Sequence, residues 1–244
     1  MQDFFSADTL AFIAAHQDDD VAKLALKFSS RKDIDIRAAL QQIEGRQIAK
    51  SKLPSFANAE NIVYPVKLSM EQCSSEKTAL YKQLVAGDGA SMIDLTSGFG
   101  IDFYFISRHF KKAEYVERNA DLCRIASHNF KSLGATNVSA TNADGIELIK
   151  ASTSHYDLIF LDPARRDKNG KKTVEIKDCE PDVVELKETL LSKCDRMMLK
   201  LSPMLDIKSA IRDLGCVEEV HVVAVDNECK ELLFVCKKEA SFKR

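Results

Sequence analysis

SMIDLTSGFGID, residues 91–102, is the stretch that decides the fold of this chain of 244 residues. An apolar run that contains one acid, Asp94, leads into a turn with two glycines, Gly98 and Gly100. The residues that follow, FYFISRHF, place Phe103 and Ile106 at helical spacing. A buried strand, a glycine turn and a helix in this order form the first unit of a nucleotide-binding α/β domain. The sequence therefore predicts such a domain around this stretch.

The rest of the chain alternates strands and helices after a helical beginning. Residues 1–57 show helical apolar spacing and are predicted to form a small helical N-terminal domain. Residues 58–240 alternate short apolar runs with amphipathic stretches, which predicts helices packed on a parallel sheet. The last two runs, VEEVHVVAV and ELLFVCKK, are joined by a short link, which predicts an antiparallel hairpin. The predicted fold class is α/β, with a Rossmann-like seven-stranded sheet whose last strand is antiparallel.

Composition narrows the functional classes. The chain is 45% hydrophobic and 30% charged with a net charge of -2, so we expect no generally basic nucleic-acid-binding surface, although a local basic patch is compatible with this balance. The seven cysteines include no C-x-x-C pair, so we expect free thiols and no metal site. The first residues lack a basic segment followed by an apolar run, and no stretch approaches 18 apolar residues. We therefore expect a cytoplasmic protein without a membrane segment.

The glycine turn differs from that of a dinucleotide-binding protein. The dinucleotide fingerprint has a third glycine at the position that Phe103 occupies here. Asp94 lies four residues before Gly98, where an acid disfavours a pyrophosphate and favours a cationic ligand. S-adenosylmethionine carries both an ammonium and a sulfonium group. It is the cofactor that we predict.

Two more acids follow the next two predicted strands. Glu117 ends the second strand, 23 residues after Asp94, where an acid typically accepts hydrogen bonds from the ribose hydroxyls. Asp144 follows the third strand and is placed to accept from the adenine amino group. Any one of these acids alone would be interpreted as a surface carboxylate. Because the carboxyl ends of parallel strands meet at one edge of a sheet, we expect all three to serve one ligand.

Over residues 60–240 the sequence resembles the class I S-adenosylmethionine-dependent methyltransferases. DLTSGFG matches their glycine-rich motif, and YVER, NADG and LDPA match the later motifs in order. The chain is most similar to the bacterial THUMP-like RNA methyltransferases, in which EQCSSE-type, DLTSGFGID-type and LDPARR-type segments occur together. Such proteins also carry a small further C-terminal domain, which we expect to be absent or reduced here. The resemblance implies a methyltransferase domain over residues 58–240, with cofactor contacts from Asp94, Thr96, Gly98, Gly100, Glu117 and Asp144.

The reacting end is predicted after the fourth strand. Amino-methyltransferases carry a D-P-P-aromatic motif there, whose acid accepts hydrogen bonds from the target amino group. This chain has Asp162, Pro163 and Ala164, followed by Arg165. We therefore predict Asp162 and Pro163 as the catalytic residues, acting on a base amino nitrogen. Covalent methylation of a pyrimidine carbon would need a thiolate near the end of the fifth strand, where this chain has Ser202.

Basic residues close to this motif are candidates for contact with the substrate. Arg165 and Arg166 open the run RRDKNGKK, which either contacts phosphate groups or forms a solvated loop, and the two interpretations weigh about equally. Lys200, in LKLSP, is a candidate for lining the substrate entrance.

Three functions remain open at this point. The leading hypothesis is an S-adenosylmethionine-dependent methyltransferase that modifies RNA at a base amino nitrogen. The second is an RNA-binding or assembly factor that keeps the fold without catalysis, because the acceptor motif is incomplete. The third is a methyltransferase of proteins or small molecules, which the acidic net charge suggests.

Overall fold

A seven-stranded sheet organises the part of the chain that the structure describes. The computed structural model describes residues 1–164 and 175–240. Its strands are β1 Gly89–Asp94, β2 Phe110–Glu117, β3 Val138–Asn142, β4 Tyr156–Leu161, β5 Cys194–Leu201, β6 Val217–Val225 and β7 Glu228–Cys236.

Helices precede this sheet and then cover both of its faces. They are α1 Ala7–Ala15, α2 Val21–Phe28, α3 Ile36–Lys52, α4 Pro54–Asn58, α5 Lys67–Gln72, α6 Glu76–Ala86, α7 Ile101–Ser107, α8 Ala120–Ser132, α9 Gly145–Ala151, α10 Val183–Leu191 and α11 Ile207–Leu214, with a short 3-10 helix at Ile176–Asp178. In the two described ranges, no helix combines the length and the apolar character that crossing a bilayer requires.

The strand order is β3-β2-β1-β4-β5-β7-β6. Strands β1 to β5 pair in parallel, with Met92 of β1 opposite Leu158 of β4. Strand β7 runs antiparallel between β5 and β6, with Met198 opposite Val235. The predicted fold class is confirmed. From β1 the chain adds β2 and β3 on one side and then crosses to β4 on the other side, so the strand order reverses at β1. Open α/β sheets bind ligands outside the carboxyl ends of their strands at such a switch point.

Side chains alternate along the strands and divide the core into two layers. Met92 and Phe103 belong to the layer that α7 and α8 cover, whereas Ile93 and Leu161 belong to the layer under α9, α10 and α11. Strand β4 is apolar along most of its length because both of its faces are covered. Burial of one large apolar side chain contributes about 1.5–3 kcal/mol. The central strands are therefore a rigid base for the residues that follow them.

The N-terminal helices share part of their core with the first strand–helix unit. Leu53 and Phe56 pack in the same cluster as Phe99 and Phe105, which flank and belong to α7. A separate cluster that includes Ile43 joins α1, α2 and α3. The division into two domains at residue 57 stays a prediction.

Candidate active site

A cavity of about 500 Å³ opens at the carboxyl ends of β1, β4 and β5. Its wall includes the glycine turn, the residues that follow β4 and the end of β5. The residues predicted from the sequence that line it are Asp94, Thr96, Gly98, Gly100, Asp162, Pro163 and Lys200. The fold thus brings the turn and the acceptor motif, which are far apart in the sequence, into one cavity.

The turn after β1 exposes its backbone to this cavity. Asp94 ends β1 and accepts a hydrogen bond from the backbone N–H of Thr96, 2.9 Å away. Gly98 and Gly100 have φ values of +55° and +83°, in the region that favours glycine. A Cβ atom at Gly100 would lie 2.7 Å from the ring of Phe130, whereas a Cβ atom at Gly98 would meet open space. Gly100 is therefore needed for packing, and Gly98 leaves its side of the turn open to a ligand.

Asp94 is a buried carboxyl group without an ion-pair partner in residues 1–164 and 175–240. Its residue is 1% exposed. Burial raises the pKa of Asp94 well above its usual value, and nearby Asp102 and Asp162 raise it further, while the hydrogen bond from Thr96 opposes the shift. A cationic ligand in the cavity would offset these costs and favour the carboxylate. The charge of this wall therefore fits the ammonium and sulfonium groups of S-adenosylmethionine.

Glu117 and Asp144 lie at the same sheet edge, beside the cavity. Glu117 ends β2, and its carboxylate accepts from the backbone N–H groups of Gly98 at 2.8 Å and Asn119 at 2.7 Å. Asp144 caps α9 and accepts from the backbone N–H of Ile146 at 2.9 Å. Backbone donors thus hold both carboxylates at the ends of their strands.

Gly145 explains how Asp144 comes close to the turn. A Cβ atom at Gly145 would collide with the backbone carbonyl of Leu95. The start of α9 therefore packs directly against the residue that follows β1. The sequence interpretation missed this contact, although the glycine next to the acid in NADG was a visible signal.

The acceptor motif is tied to the glycine turn and to a lysine. The backbone N–H of Asp162 donates to Oγ1 of Thr96 at 2.6 Å. Its carboxylate, on a side chain that is 39% exposed, places Oδ2 at 2.5 Å from Nζ of Lys200. Burial lowers the pKa of Lys200, but the carboxylates of Asp162 and Asp102 outweigh this effect and raise it. Lys200 lies in the cavity wall, and its charge is shared between these two carboxylates.

The sequence did not predict Asp102, Lys82 and Glu231, which lie behind Lys200, as parts of a site. Asp102 accepts from Oγ of Ser74 at 2.7 Å and pairs with Nζ of Lys82 at 3.1 Å. Lys82 also pairs with Glu231 of β7. A signal was present on α6, where Lys82 lies between Ala79 and Ala86 on the inward-facing stripe. For Ser74, in the EQCSSE segment, the resemblance implied a contact with the cofactor, and helix capping was the alternative; the structure shows that Ser75, not Ser74, caps α6.

The thiol of Cys73, at the cavity, and that of Cys194, at the opposite end of β5, are poor nucleophiles. Burial raises the pKa of Cys73, which lines the cavity, to about 11, and that of Cys194 to about 12. The thiol form therefore dominates at neutral pH, and the thiolate is the reactive form.

Two predicted substrate contacts, Arg165 and Arg166, lie outside the described residues. Ala164 and Glu180, which flank that gap, pair as a short antiparallel bridge. Among the residues that the structure describes, no group of three or more His, Cys, Asp or Glu side chains is arranged to hold a metal ion.

Comparison with known proteins finds similarity to proteins named as methyltransferases. Residues 73–190 match the family model described as "Conserved hypothetical protein 95". The chain is 30% identical over 135 residues to a protein of Mycoplasma mobile named as an uncharacterized RNA methyltransferase, and this match covers 54% of the chain and 37% of that protein.

Solved structures share the fold. A "putative methyltransferase" from Porphyromonas gingivalis W83 superposes with a TM-score of 0.79 at 31% identity, covering 97% of this chain and 59% of that one. TrmK of M. capricolum, solved with S-adenosyl-homocysteine, superposes with a TM-score of 0.51 at 11% identity, covering 68% of this chain and 70% of that one. The chain spans less than two thirds of the Mycoplasma mobile and Porphyromonas proteins. The chain shares its fold with these solved structures, which are named as methyltransferases or contain S-adenosyl-homocysteine.

Proposed function

We propose that this protein is an S-adenosylmethionine-dependent methyltransferase that modifies RNA at a base amino nitrogen. One observation carries the proposal: Asp94, a buried acid with no ion-pair partner among the described residues, shares a single cavity with Asp162 of the acceptor motif. The first residue favours a cationic cofactor, and the second is placed to accept a hydrogen bond from a nucleophile.

The cofactor would be held along the carboxyl edge of the sheet. Asp94 and the backbone of the turn from Thr96 to Gly100 would contact its positively charged part, while Glu117 and Asp144 would contact its adenosine. The bound cofactor supplies a methyl group activated by the sulfonium. The protein supplies the carboxylate that favours binding and a turn whose glycine leaves room for close approach.

The acceptor would meet Asp162. An amino nitrogen on a base is a weak nucleophile, so a carboxylate that accepts its hydrogen orients it and favours attack. Lys200 holds Oδ2 of this carboxylate at a fixed position. Pro163 lines the same wall and would limit how the base can lie.

The proposal that RNA is the substrate is supported by similarity to a relative and by sequence motifs. The Mycoplasma mobile relative is named as an RNA methyltransferase, and the quoted motifs resemble those of the THUMP-like group. Arg165 and Arg166, which directly follow the acceptor motif, would contact phosphate groups.

Calorimetry with S-adenosylmethionine tests the cofactor assignment. We expect binding with a dissociation constant on the order of micromolar and a loss of at least about tenfold in Glu117→Ala, because a charged acceptor is removed. Glu147→Ala is the matched control, because Glu147 is exposed and pairs only with Lys150 of its own helix among the described residues. Absence of binding by the wild-type protein would reject the proposal.

Transfer of a labelled methyl group tests the substrate. RNA extracted from a strain that lacks the gene should accept the label, and mass spectrometry of its nucleosides should show an N-methylated base. Label in a protein or small-molecule fraction instead would favour the third hypothesis.

A factor that binds RNA without catalysis is the second candidate function. The observation that favours it is Ala164 in the position where amino-methyltransferases carry a second proline. Cofactor and RNA binding without any transfer of label would select this function.

A further inference from the structure

A chain of paired charges runs from the centre of α6 to the acceptor motif. Its members are the side chains of Glu231, Lys82, Asp102, Lys200 and Asp162, and we call it the lysine–carboxylate chain. In the interior, the side chains of Glu231 and Lys82 are 6% and 0% exposed, whereas that of Asp162, at the cavity end, is 39% exposed. The chain of charges therefore leads from the protein interior to the cavity.

Asp102 is the centre of this arrangement. Its two oxygens take different lysines, with Oδ1 at 3.1 Å from Lys82 and Oδ2 at 3.3 Å from Lys200. Burial raises the pKa of Asp102, but Lys82 and Lys200 outweigh burial and lower it. Asp102 is therefore ionised, and both lysines are held towards it.

Ser74 completes the support of Lys200. Its hydroxyl donates to Oδ2 of Asp102 at 2.7 Å, and Nζ of Lys200 donates to the same hydroxyl oxygen at 3.3 Å. The ammonium of Lys200 thus has partners on three elements: Asp102 at the start of α7, Ser74 before α6, and Asp162 after β4. A flexible lysine side chain becomes fixed in one position by this set of contacts.

We propose that Asp102 and Ser74 are positioning residues, which fix the ammonium of Lys200 on Asp162 and so orient the Asp162 carboxylate for the acceptor. The inference rests on the proposed function and names residues that act behind its reacting group. Asp102 and Ser74 act through Lys200, and Lys200 acts through Asp162. A displacement of about 1 Å at the reacting group can lower a rate by about a hundredfold.

The alternative is that these contacts only hold α6, α7, β5 and β7 together. Substitution of two adjacent serines distinguishes a positioning role from a purely structural one. Ser74 supports Lys200, whereas Ser75 caps α6 by accepting from the backbone N–H of Thr78 at 3.3 Å. Ser75→Ala is therefore a matched control that removes a hydroxyl next to Ser74 and leaves the lysine–carboxylate chain intact.

The experiment measures methyl transfer, cofactor affinity and melting temperature together. Labelled S-adenosylmethionine and total RNA from a strain that lacks the gene are the probes. For Ser74→Ala we expect kcat to fall by about tenfold or more, with the cofactor dissociation constant within threefold of wild type. Ser74→Thr keeps a hydroxyl and should recover most of kcat. Ser75→Ala should lower the melting temperature and leave kcat unchanged.

A second variant covers the case in which Ser74→Ala is too mild. Asp102→Asn removes the central charge and should lower kcat further, measured at a temperature at which circular dichroism shows it folded. If both variants keep kcat within twofold of wild type, or if Ser75→Ala lowers kcat as much as Ser74→Ala does, the positioning role is wrong. If the wild-type protein neither binds the cofactor nor transfers the label, the proposed function itself fails, which is a separate outcome.

Discussion

The carboxyl groups at the two ends of the cavity differ in whether a cationic side chain pairs with them. At the end of β1, Asp94 is buried with no ion-pair partner in the described ranges, and its pKa is raised by burial. At the carboxyl ends of β4 and β5, Lys200 forms ion pairs with Asp162 and with Asp102 of α7. Lys82 pairs with Asp102 on the side away from the cavity. Among the residues that the structure describes, the Asp94 end lacks a cation, whereas the Asp162 end contains Lys200.

This contrast separates binding from reaction. An unpaired buried acid gains most from a ligand that brings a positive charge, so the β1 end favours the cofactor. A carboxylate already paired with a lysine gains less from a further cation, but it can still accept a hydrogen bond from a neutral amino group. The following predictions test this division.

Asp94→Asn should have the largest effect. The amide keeps the shape and an oxygen for the N–H of Thr96 but removes the charge, so cofactor affinity should fall by about 30-fold or more. The unliganded variant should be at least as stable as wild type at pH 8, because a buried charge has been removed. Calorimetry and thermal melting measure both effects, and Asp195→Asn, at an exposed aspartate of β5, is the control. Equal affinity in both variants would contradict the assignment.

The pH dependence of the wild-type protein tests the same contrast without a mutation. The folded, unliganded protein holds the proton of Asp94 more tightly than the unfolded chain, because the pKa of Asp94 is raised above its ordinary value of 3.8. The contribution of this group to stability is therefore complete below that value and decreases as pH rises towards the raised pKa.

Cofactor binding should reverse this dependence by favouring the carboxylate and releasing a proton. Affinity should then increase with pH, by up to about tenfold per pH unit in that window. Calorimetry in two buffers of different ionisation enthalpy measures the proton released. An affinity that decreases as pH rises would contradict the role of Asp94.

Gly98→Ala should have an intermediate effect. The positive φ of Gly98 strains any L-residue by about 1–2 kcal/mol, and the new methyl group would enter the space that a ligand needs. Gly134→Ala is a close control, because Gly134 has a φ of +72° and open space but lies after α8. Both variants should lose similar stability, and only Gly98→Ala should lose cofactor affinity, by about tenfold. Equal affinity losses would place the ligand elsewhere.

Lys200→Met should have the smallest effect on binding and a large one on reaction. It removes the cation from a wall that keeps Asp94, Asp102 and Asp162, so the positively charged cofactor should bind equally well or about threefold more tightly. Methyl transfer should be lost, because Asp162 is no longer held. Lys237→Met, in a partly exposed pair with Glu218, is the control. A tenfold loss of cofactor affinity would show that Lys200 acts in binding.

Local sequence pattern was sufficient to predict the fold and the position of the glycine turn. Alternating apolar runs predicted the sheet, and the glycine turn with its early acid lies within a dozen residues of sequence. The placement of Thr96 and Gly98 at the cavity follows from the same local unit.

The reacting end could be predicted only in part, because it depends on contacts between distant segments. Asp162 and Lys200 were recognised separately from strand ends, but their pairing requires β4 and β5 to be neighbours. Asp102 and Lys82 looked like ordinary helix residues, and only the packing of α6 against α7 reveals their charges as buried. Which charged side chains are buried together depends on tertiary packing, which a single sequence does not show.

The pair between Lys82 and Glu231 has a consequence for the order of folding. These residues are 149 positions apart, and Glu231 lies on the last strand of the sheet. During synthesis from the N-terminus, α6, α7 and β1 to β5 emerge before β7, and in that interval Lys82 lacks one of its two carboxylate partners. Burying a lysine with incomplete compensation is costly, so the inner wall of the cavity cannot close fully until the final hairpin arrives. The inner wall of the cavity is therefore completed by β7, and a chain interrupted before β7 would have the glycine turn without a fixed position for Lys200.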